Sequence, residues 1–282
     1  MNNDQLRQKA ETFLAYHHAP PLLILPNAWD VSSAQVFALE GFKAIGTTSA
    51  GIAASLGYPD GQRMSLAETI AIVERIEQQI DLPISVDIEA GYATTLDGIA
   101  AAARAVLNVG AVGLNLEDST GQPANPLCET AVQQEKLRVI RETAVAEGVH
   151  LLINARTDVY LIPGTEPKAR LHQAIARGNA YKEAGADCIF VPDTSVLDKE
   201  TIAHLVREID APINIIAGTT TPPIVELEQI GVARVSLGPR PMRATLTLLR
   251  KMSQELLELG AYDLINSATI TYAEVNQWFK RN

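Results

Sequence analysis

Eight times along this chain a short run rich in Val, Ile and Leu gives way to a longer stretch with helical spacing of apolar residues. The runs lie at about 22–26, 43–47, 83–87, 111–117, 151–155, 188–192, 213–218 and 233–238, and each has Gly, Pro, Asn, Thr or an acidic residue at or next to its end. Runs that are apolar throughout and polar only at one end suit strands buried on both faces of a parallel sheet. Helices are expected at 32–40, 65–79, 96–108, 131–147, 167–183, 199–208, 222–229 and 240–259. Ser65 is followed by Glu68 three residues on, the pattern of a capping box. Gly110, Gly148, Gly185 and Gly231 stand where helices should stop.

Eight strand–helix units in one chain of 282 residues predict an α/β fold, a (β/α)8 TIM barrel. A doubly wound open sheet is the alternative. It usually carries a Gly-rich fingerprint after its first strand, and this chain has PNAWDVSS there. We expect the barrel over 1–260 and a helical C-terminal extension over 261–282, with a helix at 271–280. Its Tyr272, Val275, Trp278 and Phe279 make one apolar face.

The formal net charge of −10 disfavours a nucleic-acid surface, which needs clustered Lys and Arg to neutralise phosphates. Cys128 and Cys188 are too few for a disulfide framework and fit a reducing compartment. No run approaches the roughly 20 apolar residues of a membrane helix, and MNNDQLRQKAETF lacks the apolar centre of a secretory leader. A cytoplasmic protein without membrane or nucleic-acid partners is expected.

Barrel chemistry sits at the C-terminal ends of the strands. Here those ends hold Asn27, Asp30, Thr47, Thr48, Ser49, Asp87, Glu89, Glu117, Asp118, Asn154, Arg156, Asp158 and Asp193. Asp87 and Glu89 in VDIEAGY would project to one side of an extended backbone, and Glu117 comes from the neighbouring strand. Three carboxylates at one mouth repel unless a hard divalent cation compensates them, most naturally Mg²⁺. The plain alternative is that Asp87 caps a helix and Glu89 is solvated. Arg156 in INARTD suits a substrate carboxylate, or else pairs with Asp158 within the rim. None of the eight lysines stands at a strand end, which disfavours Schiff-base chemistry.

Taken in order, PNAWD, GTTSAGIAASLGYPDG, VDIEAGY, LEDS and INARTD resemble the isocitrate lyase / phosphoenolpyruvate mutase superfamily, over about residues 22–249. The resemblance implies a barrel that binds Mg²⁺, or Mn²⁺ in its place, and an α-oxo acid or its enolate. It also implies a C-terminal helix swapped between subunits of a homodimer or homotetramer. By position, Asp87 matches the direct metal ligand, and Glu89 (Asp in most relatives) and Glu117 match ligands acting through water. Arg156 matches the arginine on the substrate. Thr48, Ser49 and Ala50 match a loop offering donors to its carboxylate, and Asp60 an aspartate near the metal waters. Residues 119–130 match a gating loop.

That loop departs from both branches of the superfamily. Its STGQPANPLCET lacks the KRCGH-type motif of isocitrate and methylisocitrate lyases, so Cys128 has no basic neighbours. Asn125 matches an asparagine of the phosphonate enzymes, but Pro123 stands where they have Lys. We expect a Mg²⁺-dependent lyase that cleaves a C–C bond of a 2-hydroxy or 2-oxo di- or tricarboxylic acid, through a metal-stabilised enolate of pyruvate or a related α-oxo acid. Asp60, Glu117 and Arg156 would be catalytic, and Thr48, Ser49, Ala50, Asn125 and Arg156 would bind substrate. The alternatives are a C–P enzyme of phosphonopyruvate or carboxyphosphonate type, an oxaloacetate decarboxylase, and a non-catalytic binding barrel.

Overall fold

The computed structural model describes residues 3–193 and 196–280. Among these, nine parallel strands form a nearly closed barrel surrounded by helices: β1 (Leu23–Leu25), β2 (Asn27–Ala28), β3 (Ile45–Thr47), β4 (Ile84–Asp87), β5 (Gly113–Glu117), β6 (Leu152–Arg156), β7 (Cys188–Val191), β8 (Ile213–Ile216) and β9 (Arg234–Ser236). The sheet order is β1-β9-β8-β7-β6-β5-β4-β3-β2. Pro26 alone separates β1 from β2, so the two flanks of one strand meet different partners. Leu23–Leu25 pairs with β9, and Asn27–Ala28 pairs with β3. Proline has no N–H for a ladder; the strand expected at 22–26 stops just before it, and a second short strand, Asn27–Ala28, follows beyond the expected range. Asn27 stitches the seam: its Nδ2 donates to the Thr47 carbonyl at 2.8 Å, and its Oδ1 accepts from the amides of Leu237 and Gly238 at 2.8 Å.

The helices around these strands are α1 (Asn3–Ala15), α2 (Val31–Leu39), α3 (Ser49–Leu56), α4 (Leu66–Glu77), α5 (Leu96–Asn108), α6 (Thr130–Ala146), α7 (Pro167–Glu183), α8 (Lys199–Glu208) and α9 (Ile224–Ile230). Their limits follow local chemistry. Ser65 and Glu68 form the expected capping box on α4, and Asp30 with Ser33 forms another on α2. Gly110, Gly148, Gly185 and Gly231 all have positive φ. Helices α1 and α3 were not expected from the pattern. α1 buries only Ala10 and Phe13, too narrow a stripe to read in a polar stretch. Phe13 is fully buried, and its ring lies where a Cβ on Gly113 would sit.

The barrel interior is unusually polar beneath the rim. Asn154 Nδ2 donates to Asn115 Oδ1 at 2.7 Å, Ser236 Oγ donates to Asn214 Oδ1 at 3.1 Å, and the fully buried Arg234 donates from Nε to Ser236 Oγ at 3.2 Å.

The chain from Pro239 onward is a second compact unit. It comprises α10 (Arg240–Leu259), α11 (Asp263–Asn266) and α12 (Tyr272–Trp278). The Glu255 carboxylate accepts from the amides of Asp263 and Leu264 at 2.9 and 3.0 Å, which fixes the start of α11 against α10. Leu246, Leu249, Leu257, Leu259, Tyr262 and Tyr272 are exposed. Among the described residues no helix is long and apolar enough to cross a membrane.

Candidate active site

Strands β4, β5 and β6 are adjacent and in parallel register, and their last residues are Asp87, Glu117 and Arg156. Glu117 lies directly beside Arg156, and Asp87 beside Asn115. All three therefore reach the same end of the barrel.

Asp87 is buried. Its Oδ2 accepts from the Ser49 amide at 3.1 Å and from Ser49 Oγ at 2.8 Å, and its own amide donates to Thr47 Oγ1 at 2.9 Å. Thr48 is the N-cap of α3, its Oγ1 accepting from the Gly51 amide at 3.3 Å, with Ser49 and Ala50 in the first turn. The 48–50 segment is thus a helix start, with the Ser49 donors engaged by Asp87. Asp87 does bond a helix end, as the plain alternative held, but as an acceptor from outside the helix.

Glu89 is not on extended backbone. It lies two residues beyond the end of β4, at φ 49°, a conformation that costs a side chain about 1–2 kcal/mol. Two bonds hold it there: Tyr92 Oη donates to Oε1 at 2.7 Å, and the Gln62 amide donates to Oε2 at 2.6 Å. It is buried, so the solvated alternative does not describe it.

Arg156 is gripped by two carboxylates. Nε and Nη2 donate to Asp158 at 2.5 and 3.0 Å, and Nη1 lies 2.9 Å from Glu117 Oε2. The rim pair with Asp158 is present, and two of the five guanidinium N–H groups remain beyond these three contacts. Phe190 lies under the guanidinium, 5.9 Å from ring centre to Cζ.

The rim carries more negative than positive charge. Burial pushes the Glu117 carboxyl up to about 8 against the pull of Arg156, and the charges of Asp158, Asp87 and Glu89 add to the rise. Burial raises Glu89 as well, with Asp87 contributing. Asp60 lies on the exposed loop between α3 and α4. Partial burial and the Asp87 charge raise its carboxyl.

Among the described residues, no three His, Cys, Asp or Glu side chains converge tightly enough to enclose a metal by themselves. This donor set suits Mg²⁺, which keeps several waters and takes one or two carboxylates directly. Glu89 lies two residues beyond Asp87, its amide 3.3 Å from Asp87 Oδ1, and Glu117 ends the neighbouring strand, so these carboxylates repel one another in a way that a divalent cation would relieve.

Loop 119–130 is folded on itself. Ser119 and Leu127 form an antiparallel bridge, and the Thr120 amide donates to the Pro126 carbonyl at 3.0 Å. Asn125 is exposed at the tip, its amide bonded to the Gln122 carbonyl at 3.1 Å. The structure does not bring it to the acidic rim in this arrangement. Burial pushes the Cys128 thiol up, and its Sγ lies 3.8 Å from Gln133 Oε1. A thiol so placed is a poor proton donor or nucleophile at neutral pH.

Several supports were missed in the sequence. Gln62 and Tyr92 hold Glu89 through left-handed turns that no spacing rule announces. Asp118 stands at a strand end as expected, but its supporting role was not read: fully buried, it ties together the turn after β6, α7 and the loop. Arg177 and Tyr181, four apart on α7 and both buried, were the readable signal: two polar side chains on an inward helical face.

Comparison with known proteins adds the family. The family model described as phosphoenolpyruvate phosphomutase matches residues 13–257. An uncharacterized protein of Mycobacterium tuberculosis H37Rv is 37% identical over 237 residues, 83% of this chain and 84% of that protein. The 2-methylisocitrate lyase of Escherichia coli K12 is 26% identical over 252 residues, 84% of this chain and 82% of that enzyme. A crystal structure from Burkholderia cenocepacia J2315, described as a lyase/mutase, superposes with a TM-score of 0.90 at 31% identity, covering 99% of this chain and 98% of that one.

Proposed function

The chain belongs to the phosphoenolpyruvate phosphomutase family, and from that premise we propose that it is a Mg²⁺-dependent lyase. On this reading it cleaves a C–C bond of a 2-hydroxy or 2-oxo di- or tricarboxylic acid, releasing pyruvate or a related α-oxo acid. The observation that carries this is the placement of Asp87, Glu117 and Arg156 on three successive strand ends, with the further carboxylates of Glu89 and Asp158 beside them. Asp87 would hold Mg²⁺, or Mn²⁺ in its place, directly, with Glu89 and Glu117 reaching it through water. The cation would supply Lewis-acid polarisation of the oxo acid.

The chain's own residues do the rest. Arg156, oriented by Asp158, offers its remaining N–H groups to the oxygen on which enolate charge develops. A donor so placed is typically worth about 3–4 kcal/mol in such sites. The first-turn amide of Ala50 would serve the substrate's carboxylate, because the start of a helix leaves N–H groups without intrahelical acceptors, and Thr48 and Ser49 shape that turn. Cleavage of a 2-hydroxy acid needs one group to take the hydroxyl proton and one to return a proton to the new carbanion. Asp60 and Glu117, both with carboxyls raised above their ordinary values, are assigned to these steps. Asn125 would reach the substrate only when loop 119–130 closes. The exposed apolar side chains from Leu246 to Tyr272 support assembly as a homodimer or homotetramer through an exchanged C-terminal helix.

The likeness to a 2-methylisocitrate lyase supports C–C chemistry, the family description keeps C–P chemistry as an outcome of the test, and oxaloacetate decarboxylation is tested beside them. The test is thermal unfolding with Mg²⁺ and oxalate, a planar stand-in for an enolate, followed by product assays on 2-hydroxy diacids, phosphonates and oxaloacetate. Stabilisation that needs both ligands, and that is lost in Asp87→Ala, is expected, together with pyruvate release. Unchanged metal affinity in Asp87→Ala would refute the ligand assignment. Phosphate release would move the enzyme to the C–P branch, and absence of any ligand effect would favour a binding barrel. Cys128→Ser should retain near-wild-type activity, and a loss of orders of magnitude would restore the thiol as acid or base.

A further inference from the structure

Asp118 follows Glu117 but serves the opposite side of the strand. One of its oxygens, Oδ1, accepts from the Asp158 amide at 2.9 Å. The other, Oδ2, accepts from Thr157 Oγ1 at 2.8 Å, Tyr181 Oη at 2.7 Å and Arg177 Nη1 at 3.0 Å. Its backbone is engaged too: its amide donates to the Arg156 carbonyl at 3.2 Å, and its carbonyl accepts from the Cys128 amide at 2.9 Å. Arg177 then closes a circuit, because its Nη2 donates to the Cys128 carbonyl at 3.0 Å. Both backbone groups of Cys128, at the return root of loop 119–130, are therefore held by this cluster. The loop above the root is closed by the Ser119–Leu127 bridge and the Thr120–Pro126 bond, so the tip rides on a stem with a clamped base.

We infer that Arg177 is a positioning residue that couples the root of loop 119–130 to the turn carrying Asp158, and through Asp158 to the orientation of Arg156. The inference deepens the lyase reading and rests on it for the meaning of loop closure, while the physical coupling stands independently. Arg177 reaches three acceptors with its planar fork: Nη2 donates to the Cys128 carbonyl at the loop root, and Nη1 donates to the Asp118 carboxylate and to Tyr181 Oη at 2.8 Å. Lysine keeps the charge but offers a single point of attachment. Tyr181→Phe removes one donor from Asp118 and one acceptor from Arg177 Nη1, but spares both the Arg177–Asp118 and the Arg177–Cys128 bonds, and serves as the comparison.

Hydrogen exchange on the whole protein, without ligand, tests the coupling. In Arg177→Lys the amides of Thr120, Cys128 and Asp158 should exchange together, about tenfold faster or more, since a charge-assisted bond is lost at the root. Tyr181→Phe should leave the Thr120 and Cys128 amides within about threefold of wild type. Unchanged rates in Arg177→Lys, or acceleration of the loop amides with Asp158 unmoved, overturn the inference. Should the variant fail to fold, the wild type decides: the three amides must share one opening reaction with a common dependence on denaturant, and separate openings overturn the coupling. The functional arm is dissociation of oxalate with Mg²⁺. Arg177→Lys should release oxalate about tenfold faster with unchanged association, and Tyr181→Phe should match wild type. If the wild-type protein binds no oxalate, the lyase reading fails and the exchange experiment alone judges the coupling.

Discussion

Acid should weaken this fold through one histidine. His17 follows α1 and is buried beneath the barrel; its Nδ1 is 2.9 Å from the Phe13 carbonyl, and its ring stands edge-on to Phe13 at 4.9 Å. Burial, reinforced by the positive charge of Arg234, lowers its pKa to about 3 from an ordinary 6.5, while the Phe13 carbonyl and Asp187 pull weakly the other way and His18 adds slightly to the lowering. The folded state therefore prefers neutral imidazole, and the unfolded chain binds the proton first. Stability from this group is complete above pH 6.5 and falls as the pH drops toward 3. One unit corresponds to about 1.4 kcal/mol, so the loss reaches about 2 kcal/mol at pH 5. His17→Leu removes the titration while keeping an apolar side chain of similar bulk. Urea unfolding from pH 7.5 to 5 should show wild type losing about 2 kcal/mol more than the variant, the carboxylates titrating alike in both. Parallel curves within about 0.5 kcal/mol would mean that the imidazole is already protonated or solvated, and the reasoning fails.

Three further outcomes follow from packing and buried polarity. Gly113→Ala would place a methyl 2.6 Å from the Phe13 ring. It should cost about 1–3 kcal/mol in urea unfolding, with a non-additive recovery when combined with Phe13→Leu. Asp118→Ala strands the Arg177 charge and several buried donors, and should lower stability by about 3–5 kcal/mol. Asp118→Asn should fall between this variant and wild type in the same measurement. Tyr92→Phe removes the Oη donor from Glu89. By calorimetric titration it should weaken Mg²⁺ binding several-fold, with little change in melting temperature; unaltered binding would separate Glu89 from the metal site.

The sequence carried most of this architecture because a parallel barrel writes itself as apolar runs with polar ends. α5, α7, α8 and α10 begin and end where their periodicity and caps indicate. The site was legible where residues stand on strand ends: Asp87, Glu117 and Arg156 lie on neighbouring strands, in an order that the repeat predicts. It was illegible where position depends on a turn. Glu89 is aimed by a left-handed residue and by two partners on separate loops, and Ser49 belongs to a helix whose first turn reads as a continuation of the strand. α1 escaped notice because a single ring, Phe13, does most of its docking.

The split at Pro26 has a consequence for synthesis. The cylinder closes only when Leu23–Leu25 meets β9 and Asn27 receives the amide of Leu237, 210 positions downstream. At about 5–20 residues per second, a ribosome leaves that first edge waiting for roughly 10–40 s. Until then a nascent chain presents an open ribbon margin able to pair with its neighbours. Fragments ending before β9 should therefore precipitate or bind chaperones instead of settling as a smaller barrel.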